Sequence, residues 1–360
     1  MIGLYKKMSN WKDRIHRVTP YVPGEQPKVC GSIIKLNTNE FPYPPSPKVR
    51  KALDSMNPDD LRLYPDVTAA PLAKDIAAYY GVDEEQVFVG VGSDDVLSVA
   101  FLTCFSSGDP ILFPNITYSF YDVWADVYRI PYKMIPLDDN LRIVKEDYYT
   151  PNGGIVLANP NAPTGIGESK DFVEDIVKAN QGSVVIVDEA YVDFGGESSL
   201  ELVNRYDNVL VVRTFSKARA FAGMRIGFAI GSRELIKCMN DVKFSINSYT
   251  MNRAAIELGR AELADDEYFK ETVAKVIKTR EWTKNELGKR DFSFPDSKTN
   301  FVFAHPKKVS AEKLFKELRE RNIFVRWWDK DILRDYLRIS IGTDDEMRAL
   351  VDAIDEIQGS

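Results

Sequence analysis

The sequence predicts an α/β protein, with a large domain built on a mostly parallel sheet flanked by helices and a smaller α+β domain at its C-terminal end. Three observations predict this fold. The chain has 360 residues, more than one ordinary domain holds. Short apolar runs alternate with amphipathic stretches from about residue 83 to 231, as in βα units around a buried sheet. A second, shorter alternation begins near residue 301.

Proline is concentrated in the first part of the chain. Because each proline fixes φ and removes a backbone donor, we expect residues 1–45 to form an extended N-terminal arm. The large domain is then expected over residues 46–248, and an interdomain helix with the small domain over residues 249–360. The prolines concerned are Pro20, Pro23, Pro27, Pro42, Pro44, Pro45 and Pro47.

Six apolar runs predict the strands of the large sheet, and two stretches with apolar residues at helical spacing predict helices between them. The strand candidates are residues 86–89, 110–113, 154–158, 184–187, 209–212 and 226–230, and the helix candidates are residues 94–105 and 169–179.

Residues 249 to about 290 contain few helix breakers and predict helix over most of their length, enough to link two domains. A capping box begins the last predicted helix, because the Thr343 hydroxyl and the Glu346 carboxylate can satisfy first-turn amides. The small α+β domain is predicted from strands at 301–304, 323–325 and 337–341 and helices at 311–321 and 344–357.

The composition is that of a folded globular protein and excludes several classes. A formal charge of −7 and a pI near 5.2 argue against a nucleic-acid partner, which would need a basic face. We expect no signal peptide and no membrane-spanning run, because the first twelve residues and the rest of the chain lack apolar runs of the required length.

Cys30, Cys104 and Cys238 are odd in number and widely spaced, so we expect a cytoplasmic protein without a disulfide framework. His16 and His305 lie in no metal or triad motif, so we expect no metal and a general base other than histidine.

The strongest chemical motif is the run R-T-F-S-K that ends at Lys217, directly after the strand candidate 209–212. A strand end presents the lysine to a cleft, where its amine can form a Schiff base and, once displaced, move a proton. Ser216 and Arg225 offer a hydroxyl and a fixed cation to a phosphate dianion. The alternative, which the Ser-Lys pair alone favours, is a solvated lysine with Arg225 in a surface ion pair.

A second motif delivers Asp188 to the edge where open α/β sheets bind ligands. Its carboxylate can pair with a protonated pyridine nitrogen, and Tyr191 can hydrogen-bond a phenolate oxygen. An acid that merely caps the following turn is equally compatible with this motif alone. Two turns accompany these strands: N-P-N-A-P-T-G at residues 159–165, and a glycine-rich turn at residues 90–95 that leads into helix amides able to bind phosphate.

These four motifs occur in the order found in the fold-type I pyridoxal 5′-phosphate (PLP) aminotransferases, and the sequence resembles that family from about Val18 to Gly342. Within it, the chain resembles the histidinol-phosphate aminotransferases. That closer resemblance depends on T-P-Y-V-P-G at residues 19–24, L-N-T-N-E at 36–40, Tyr64-Pro65, and L-R-I-S-I-G-T at 337–343.

The resemblance implies a role for each matching residue. Lys217 would form the Schiff base with PLP, Asp188 would hold the pyridine nitrogen, and Tyr191 would donate to the ring hydroxyl. Tyr118 would stack on the ring, and Tyr64 would reach in from the other subunit of a homodimer with shared active sites. The alternative for both is ordinary core packing. Further cofactor contacts are implied for Gly92, Ser93, Asp94, Asn161, Ser216 and Arg225.

Two positions depart from the family pattern. The residue before Pro163 is usually an asparagine that contacts the ring hydroxyl, but this chain has Ala162. Either Asn161 replaces that contact or Tyr191 acts alone. Asp95 stands where the family often has glutamate, which is a smaller change.

The implied reaction transfers an amino group between histidinol phosphate and 2-oxoglutarate, giving imidazole acetol phosphate and glutamate, as in histidine biosynthesis. Two predicted strand ends carry guanidinium groups that can bind a carboxylate or a phosphate. For Arg326, the alternative is stacking on Trp327 or Trp328. Substrate contacts are implied for Tyr21, Asn39, Arg326 and Arg338.

Three other functions remain open. The chain could be an aminotransferase for another amino acid, such as an aromatic one, or a PLP-dependent decarboxylase of a phosphorylated amino acid. It could also be a catalytically inactive relative with a regulatory or binding role. The intact set of Lys217, Asp188 and Tyr191 argues against the last alternative.

Overall fold

The computed structural model describes residues 11–27 and 33–359. Within these residues the strands are β1 (Ile34–Lys35), β2 (Val87–Gly90), β3 (Ile111–Pro114), β4 (Tyr132–Ile135), β5 (Gly154–Ala158), β6 (Val185–Asp188), β7 (Val209–Thr214), β8 (Gly227–Gly231), β9 (Phe292–Ser293), β10 (Phe301–Pro306), β11 (Ile323–Phe324) and β12 (Leu337–Ser340). The α-helices are α1 (Pro47–Ser55), α2 (Ala70–Tyr80), α3 (Ser93–Cys104), α4 (Tyr121–Tyr128), α5 (Lys170–Ala179), α6 (Arg233–Ile246), α7 (Arg253–Leu263), α8 (Asp266–Lys289), α9 (Ala311–Glu320) and α10 (Asp344–Gly359).

The central sheet has seven strands in the order β2-β8-β7-β6-β5-β3-β4. The strands from β4 to β7 pair in parallel, whereas β8 runs antiparallel to both β2 and β7. The predicted fold class, a mostly parallel sheet flanked by helices, is therefore confirmed. Asp188 of β6 lies opposite Ala158 of β5 and Val212 of β7, so three neighbouring strands end close together.

Helices cover both faces of this sheet, because successive strand residues point to opposite sides and both sides are apolar. Val187 shares one core with Ile76 of α2, while the neighbouring Ile186 belongs to the core that contains Phe101 of α3. With both faces covered, the strand ends are the part of the sheet that remains accessible to a ligand.

The C-terminal unit has its own hydrophobic core and an antiparallel sheet in the order β12-β10-β9. Beside it, β1 pairs in parallel with β11, and Ile34 lies opposite Ile323. Leu36 is buried in this core, and its amide donates to the Phe324 carbonyl at 2.7 Å. The second half of the predicted N-terminal arm is thus built into the C-terminal unit.

The structure contains elements that the sequence does not predict, and it interrupts one predicted helix. The sequence does not predict β4, because this strand lies at the sheet edge with largely exposed side chains and has no continuous apolar run. The helix predicted over most of residues 249–290 is interrupted, since α7 ends at Leu263 and α8 begins at Asp266. The capping box of α10 is confirmed: the Glu346 amide donates to the Thr343 hydroxyl at 3.3 Å, and the Thr343 amide donates to the Glu346 carboxylate at 2.7 Å.

The described residues contain neither a membrane-spanning helix nor a metal-binding cluster. None of their helices combines the length and the apolar content of a bilayer span. Their histidine, cysteine and acidic side chains form no group of three or more suited to a metal ion. Cys104 and Cys238 are free thiols, and Cys30 lies outside the described residues.

Candidate active site

A pocket at the carboxyl ends of β5, β6 and β7 brings together most residues singled out from the sequence. Because these parallel strands end at one sheet edge, the turns that follow them deliver Asp188 and Lys217 to the same cavity. The empty space within it, part of which is open solvent, measures about 560 Å³. The predicted residues that line it are Ser93, Asp94, Tyr118, Asp188, Tyr191, Ser216, Lys217 and Arg225.

Asp188 is buried in this pocket and held from two directions. Its Oδ2 accepts a hydrogen bond from the Tyr121 hydroxyl at 2.9 Å, and its Oδ1 accepts one from the Ala190 amide at 3.2 Å. Burial raises the pKa of Asp188 to about 6, because the carboxylate has lost its hydration. A cationic ring nitrogen placed against it would favour the charged form of this carboxylate.

Sequence reasoning missed Tyr121. Its ring is buried and makes an edge contact with Tyr118, with ring centres 5.7 Å apart. The only signal in the sequence was its position three residues after Tyr118. The hydroxyl is needed at this place because it donates to an otherwise poorly solvated carboxylate.

Lys217 enters the pocket from the turn after β7. Its Nζ lies 3.3 Å from the carbonyl oxygen of Thr38 and 5.5 Å from the centre of the Tyr191 ring. The hydrogen-bond partner is therefore a backbone carbonyl rather than a carboxylate. An amine in this setting can attack an electrophilic carbon and can exchange a proton with a bound ligand.

Tyr191 connects the pocket to both ends of the chain. Its hydroxyl accepts a hydrogen bond from Asn39 Nδ2 at 2.9 Å, and Asn39 Oδ1 accepts one from the Ser340 hydroxyl at 2.8 Å. Asn39 adopts a left-handed backbone conformation, with φ 57°, which asparagine tolerates better than most residues. The Tyr191 ring also packs edge-on against Phe301, with ring centres 5.2 Å apart. Tyr191 is thereby fixed with its hydroxyl at the pocket.

The amino end of α3 forms an anion cradle at one side of the pocket. The N-cap of this helix is Gly92, which has no side chain to bond the first-turn amides, so these amides are available to an anion. Arg225 donates to Asp94 Oδ2 at 3.2 Å and to the Ser216 hydroxyl at 3.5 Å. These groups fit a phosphate, which accepts hydrogen bonds from amides, a hydroxyl and a guanidinium group.

Two glycines allow this cradle to close. Gly92 has φ +84°, and a Cβ there would lie 2.6 Å from Arg225 Nη2. A Cβ on Gly227, in the neighbouring strand, would lie 2.3 Å from the backbone of Gly92 and Ser93. Only glycine permits these approaches. Gly92, predicted as a cofactor contact, thus shapes the cradle through its missing side chain.

Asn161 corrects the sequence prediction. Its amide is buried and bonded within the protein: Nδ2 donates to the Ile116 carbonyl at 3.0 Å and to Thr164 Oγ1 at 3.1 Å, while Oδ1 accepts from Thr117 Oγ1 at 2.8 Å. This side chain stabilises the turn and does not line the pocket. Ala162 lines it instead and offers only a methyl group. The structure therefore provides no replacement for the family asparagine at this turn.

Tyr64 lies outside the pocket of its own chain. Its side chain is 78% exposed and stacks on Tyr249, with ring centres 4.5 Å apart. The contact with cofactor predicted for it depends on a second subunit and remains a prediction.

The predicted substrate residues line a cavity that adjoins the Lys217 pocket. Arg326 and Arg338 form a two-residue antiparallel bridge, with N–H···O distances of 3.0 and 2.9 Å. Arg338 donates to the Asn37 carbonyl at 2.9 Å, and burial, together with the charge of Arg326, lowers its pKa. The cavity contains Tyr21, Asn39, Arg326 and Arg338 together with Lys217.

The arm lies over this cavity. Tyr21 stacks on Phe120, with ring centres 4.2 Å apart. Arg326 donates to the carbonyl oxygens of Val22 and Pro23 at 3.4 and 3.5 Å. Arg326 also stacks on Trp328, as the alternative from the sequence predicts, so stacking and exposure to the cavity occur together.

Comparison with known proteins agrees with this geometry. The family model "Aminotransferase class I and II" matches residues 31–354. A curated relative from Lactococcus lactis subsp. cremoris is 49% identical over 347 residues, which is 96% of this chain and 97% of the relative. Another from Clostridium botulinum is 50% identical over 347 residues, 96% of this chain and 98% of the relative. Both are named histidinol-phosphate aminotransferase.

Solved structures share the fold. The histidinol-phosphate aminotransferase of Sinorhizobium meliloti, solved in complex with pyridoxal-5'-phosphate, superposes with a TM-score of 0.83 at 24% identity, covering 91% of each chain. That of Clostridium acetobutylicum has a TM-score of 0.83 at 22% identity and covers 91% of this chain and 99% of that chain.

Proposed function

The chain belongs to the class I and II aminotransferase family, and we propose from that membership that it transfers an amino group between histidinol phosphate and 2-oxoglutarate. The products are imidazole acetol phosphate and glutamate, a transamination of histidine biosynthesis. The observation that carries the substrate assignment is the pair Arg326 and Arg338. Both line the cavity that contains Lys217, and their hydrogen bonds go to backbone carbonyls.

The pocket residues fit PLP as the cofactor. When bound, PLP supplies an electrophilic carbon for the amino group and a ring that withdraws electrons. Asp188 would hold the ring nitrogen, and Ser216 and Arg225 would bind the phosphate with the amides of α3. Tyr191 would donate to the ring hydroxyl, since its own oxygen already accepts from Asn39. With Asn161 bonded elsewhere, Tyr191 acts alone at that oxygen.

Lys217 is the proton-transfer group in this proposal. Its Nζ would carry the proton to and from the substrate α-carbon after it has been released from its link to the cofactor. Support comes from the lining of the two adjoining cavities, which includes no histidine. Thr38, whose carbonyl lies 3.3 Å from Nζ, orients the amine.

The two arginines would divide the substrate anions between them. Arg338 is half-buried and faces the cavity, and it would bind the shared anion, a carboxylate of glutamate or the phosphate of histidinol phosphate. Arg326 would add contacts to the phosphate, which has more acceptor oxygens than a carboxylate. Tyr21, stacked on Phe120, would cover the bound substrate from the arm.

We further propose a cytoplasmic homodimer with shared active sites. Tyr64 supports it, because an exposed tyrosine flanked by exposed Leu61 and Leu63 is suited to burial against a second subunit. The free thiols Cys104 and Cys238 fit a reducing compartment.

Substrate profiling tests the proposal. Initial rates with 2-oxoglutarate as acceptor should give histidinol phosphate the highest kcat/KM among a set that includes phenylalanine, tyrosine and aspartate. A preference for an aromatic amino acid would make the chain an aminotransferase of that type. Carbon dioxide release from a phosphorylated amino acid, without keto-acid turnover, would favour the decarboxylase alternative.

A further inference from the structure

The ring of Trp328 contacts both arginines of the substrate cavity, and the proposed mechanism gives it no role. The centre of its ring is 5.2 Å from Cζ of Arg326 and 5.3 Å from Cζ of Arg338. Phe301 lies 5.4 Å from the same carbon of Arg338. Trp328 also lines the cavity that contains Lys217. One indole therefore contacts both cations that face the substrate.

Two guanidinium groups that share one cavity repel each other until an anion arrives. Among the described residues neither arginine forms an ion pair, and the side-chain hydrogen bonds of Arg326 and Arg338 go to backbone carbonyls. Arg338 Nε is buried without a hydrogen-bond partner. The electron-rich face of an indole attracts cations, and the effect grows when the cation is desolvated. Trp328 can therefore offset the repulsion before substrate binds.

We propose that Trp328 is a specificity-determining residue that holds Arg326 and Arg338 side by side, so that both bind one phosphate dianion. This inference deepens the proposed function and depends on it for the identity of the phosphorylated substrate. A carboxylate needs only the Arg338 guanidinium, whereas a phosphate offers enough oxygens to use both groups. Loss of the indole face should therefore weaken phosphate binding more than glutamate binding.

The chain provides a matched control in the neighbouring Trp327. This residue does not line the cavity. Its ring stacks on Phe315, with centres 5.7 Å apart, and its Nε1 donates to the Arg334 carbonyl at 2.9 Å. A change at Trp327 alters the packing of the residue next to Arg326 in the sequence, but it leaves in place the Trp328 ring that contacts both arginines.

The experiment is calorimetric titration of the holoenzyme with inorganic phosphate, with the KM for glutamate measured in parallel. We expect Trp328→Leu to weaken phosphate binding about tenfold and to raise the glutamate KM less than about threefold, since two cation–π contacts are lost. Trp328→Phe, which keeps an aromatic face, should stay within about threefold of wild type. Trp327→Leu should bind phosphate as wild type does. Thermal unfolding of each variant verifies that it is folded.

Two results for the Trp328→Leu variant overturn the inference: unchanged phosphate affinity, or equal losses for phosphate and glutamate. The absence of measurable phosphate affinity in the wild-type holoenzyme would also overturn the inference about Trp328. If that enzyme still prefers histidinol phosphate as the amino donor, the substrate proposal is unaffected. Conversely, Trp328→Leu could lose phosphate affinity as expected in an enzyme that prefers another amino donor. That result would overturn the substrate proposal and leave the inference about Trp328 in place.

Discussion

Asp188 combines a functional benefit with a cost to folding. We expect Asp188→Asn to lower the transamination rate by several orders of magnitude, because a neutral amide no longer favours a proton on the ring nitrogen. Steady-state kinetics on the cofactor-saturated variant would measure this loss. A nearly normal rate would show that another residue performs the role.

The same substitution should stabilise the protein prepared without cofactor. The folded-state pKa of Asp188 is raised from 3.8 to about 6, so folding favours the protonated carboxyl, and this group destabilises the fold as pH rises from about 4 through 6. At pH 8, Asp188→Asn should raise the free energy of unfolding by up to about 3 kcal/mol, and at pH 5 by about half as much. Urea unfolding at both pH values measures the difference. A gain that is the same at pH 5 and pH 8 would contradict the assignment of the pKa.

Arg326 and Arg338 should respond differently to truncation. Arg338→Ala removes the guanidinium proposed to bind both substrates, so both half-reactions should slow. Arg326→Ala should raise the KM for histidinol phosphate more than the KM for glutamate. Stopped-flow measurement of each half-reaction separates the two effects. Equal losses for both substrates in the Arg326 variant would remove the reason to prefer a phosphorylated substrate.

The turn between β2 and α3 depends on an approach of two backbones that only glycine allows. In Gly227→Ala the new Cβ would lie 2.3 Å from the Gly92 backbone, so the cradle must shift. We expect the free energy of unfolding to fall by about 1–3 kcal/mol, a typical cost of overpacking. Cofactor affinity should fall at least about tenfold, since the displaced amides are those that bind phosphate. Chemical unfolding and a fluorescence titration with PLP measure the two effects.

Gly223→Ala is the control for that substitution. Gly223 lies in the connection that leads from Lys217 to Gly227 at the start of β8, but a Cβ there meets nothing within 4 Å. Its stability should stay within about 0.5 kcal/mol of wild type. If both alanine variants lose cofactor equally, the cause is the flexibility of the connection and not the close approach at Gly227.

Local sequence patterns predict individual strands and the residues at their ends, but they do not predict contacts between residues that are far apart in the sequence. The runs of β6 and β7 are uniformly apolar and end in Asp188 and the Lys217 turn, so local patterns place both residues at one sheet edge. Asn39 binds Tyr191 and Ser340, which are 152 and 301 positions away, and no local pattern encodes such contacts. The sequence predicts Trp328 only as a packing partner of Arg326, because its contact with both arginines follows from the bridge that pairs Arg326 with Arg338.

For the whole molecule, shared active sites predict a specific result from mixed chains. A dimer of one Tyr64→Phe chain and one Lys217→Ala chain should have one site with both defects and one site with neither. Since Lys217→Ala alone should be inactive, the hybrid should regain the activity of one intact site. Separately tagged chains, purified as the hybrid and assayed at saturating PLP, provide the measurement. A hybrid with only the activity of a Tyr64→Phe site would place Tyr64 in its own chain's site, and a fully active monomer in sedimentation would exclude sharing altogether.

The pairing of β1 with β11 has a consequence for the order in which a nascent chain can fold. Chains leave the ribosome amino end first, and domains generally fold as they emerge. The central sheet and the phosphate cradle lie within residues 87–231, so they can form while the C-terminal quarter is still being translated. Ile34 and Leu36 cannot pair with β11, and Asn39 cannot bind Ser340, until residues 323–340 have been made. We therefore expect a ribosome-bound intermediate that already binds the cofactor but cannot yet bind the substrate anion.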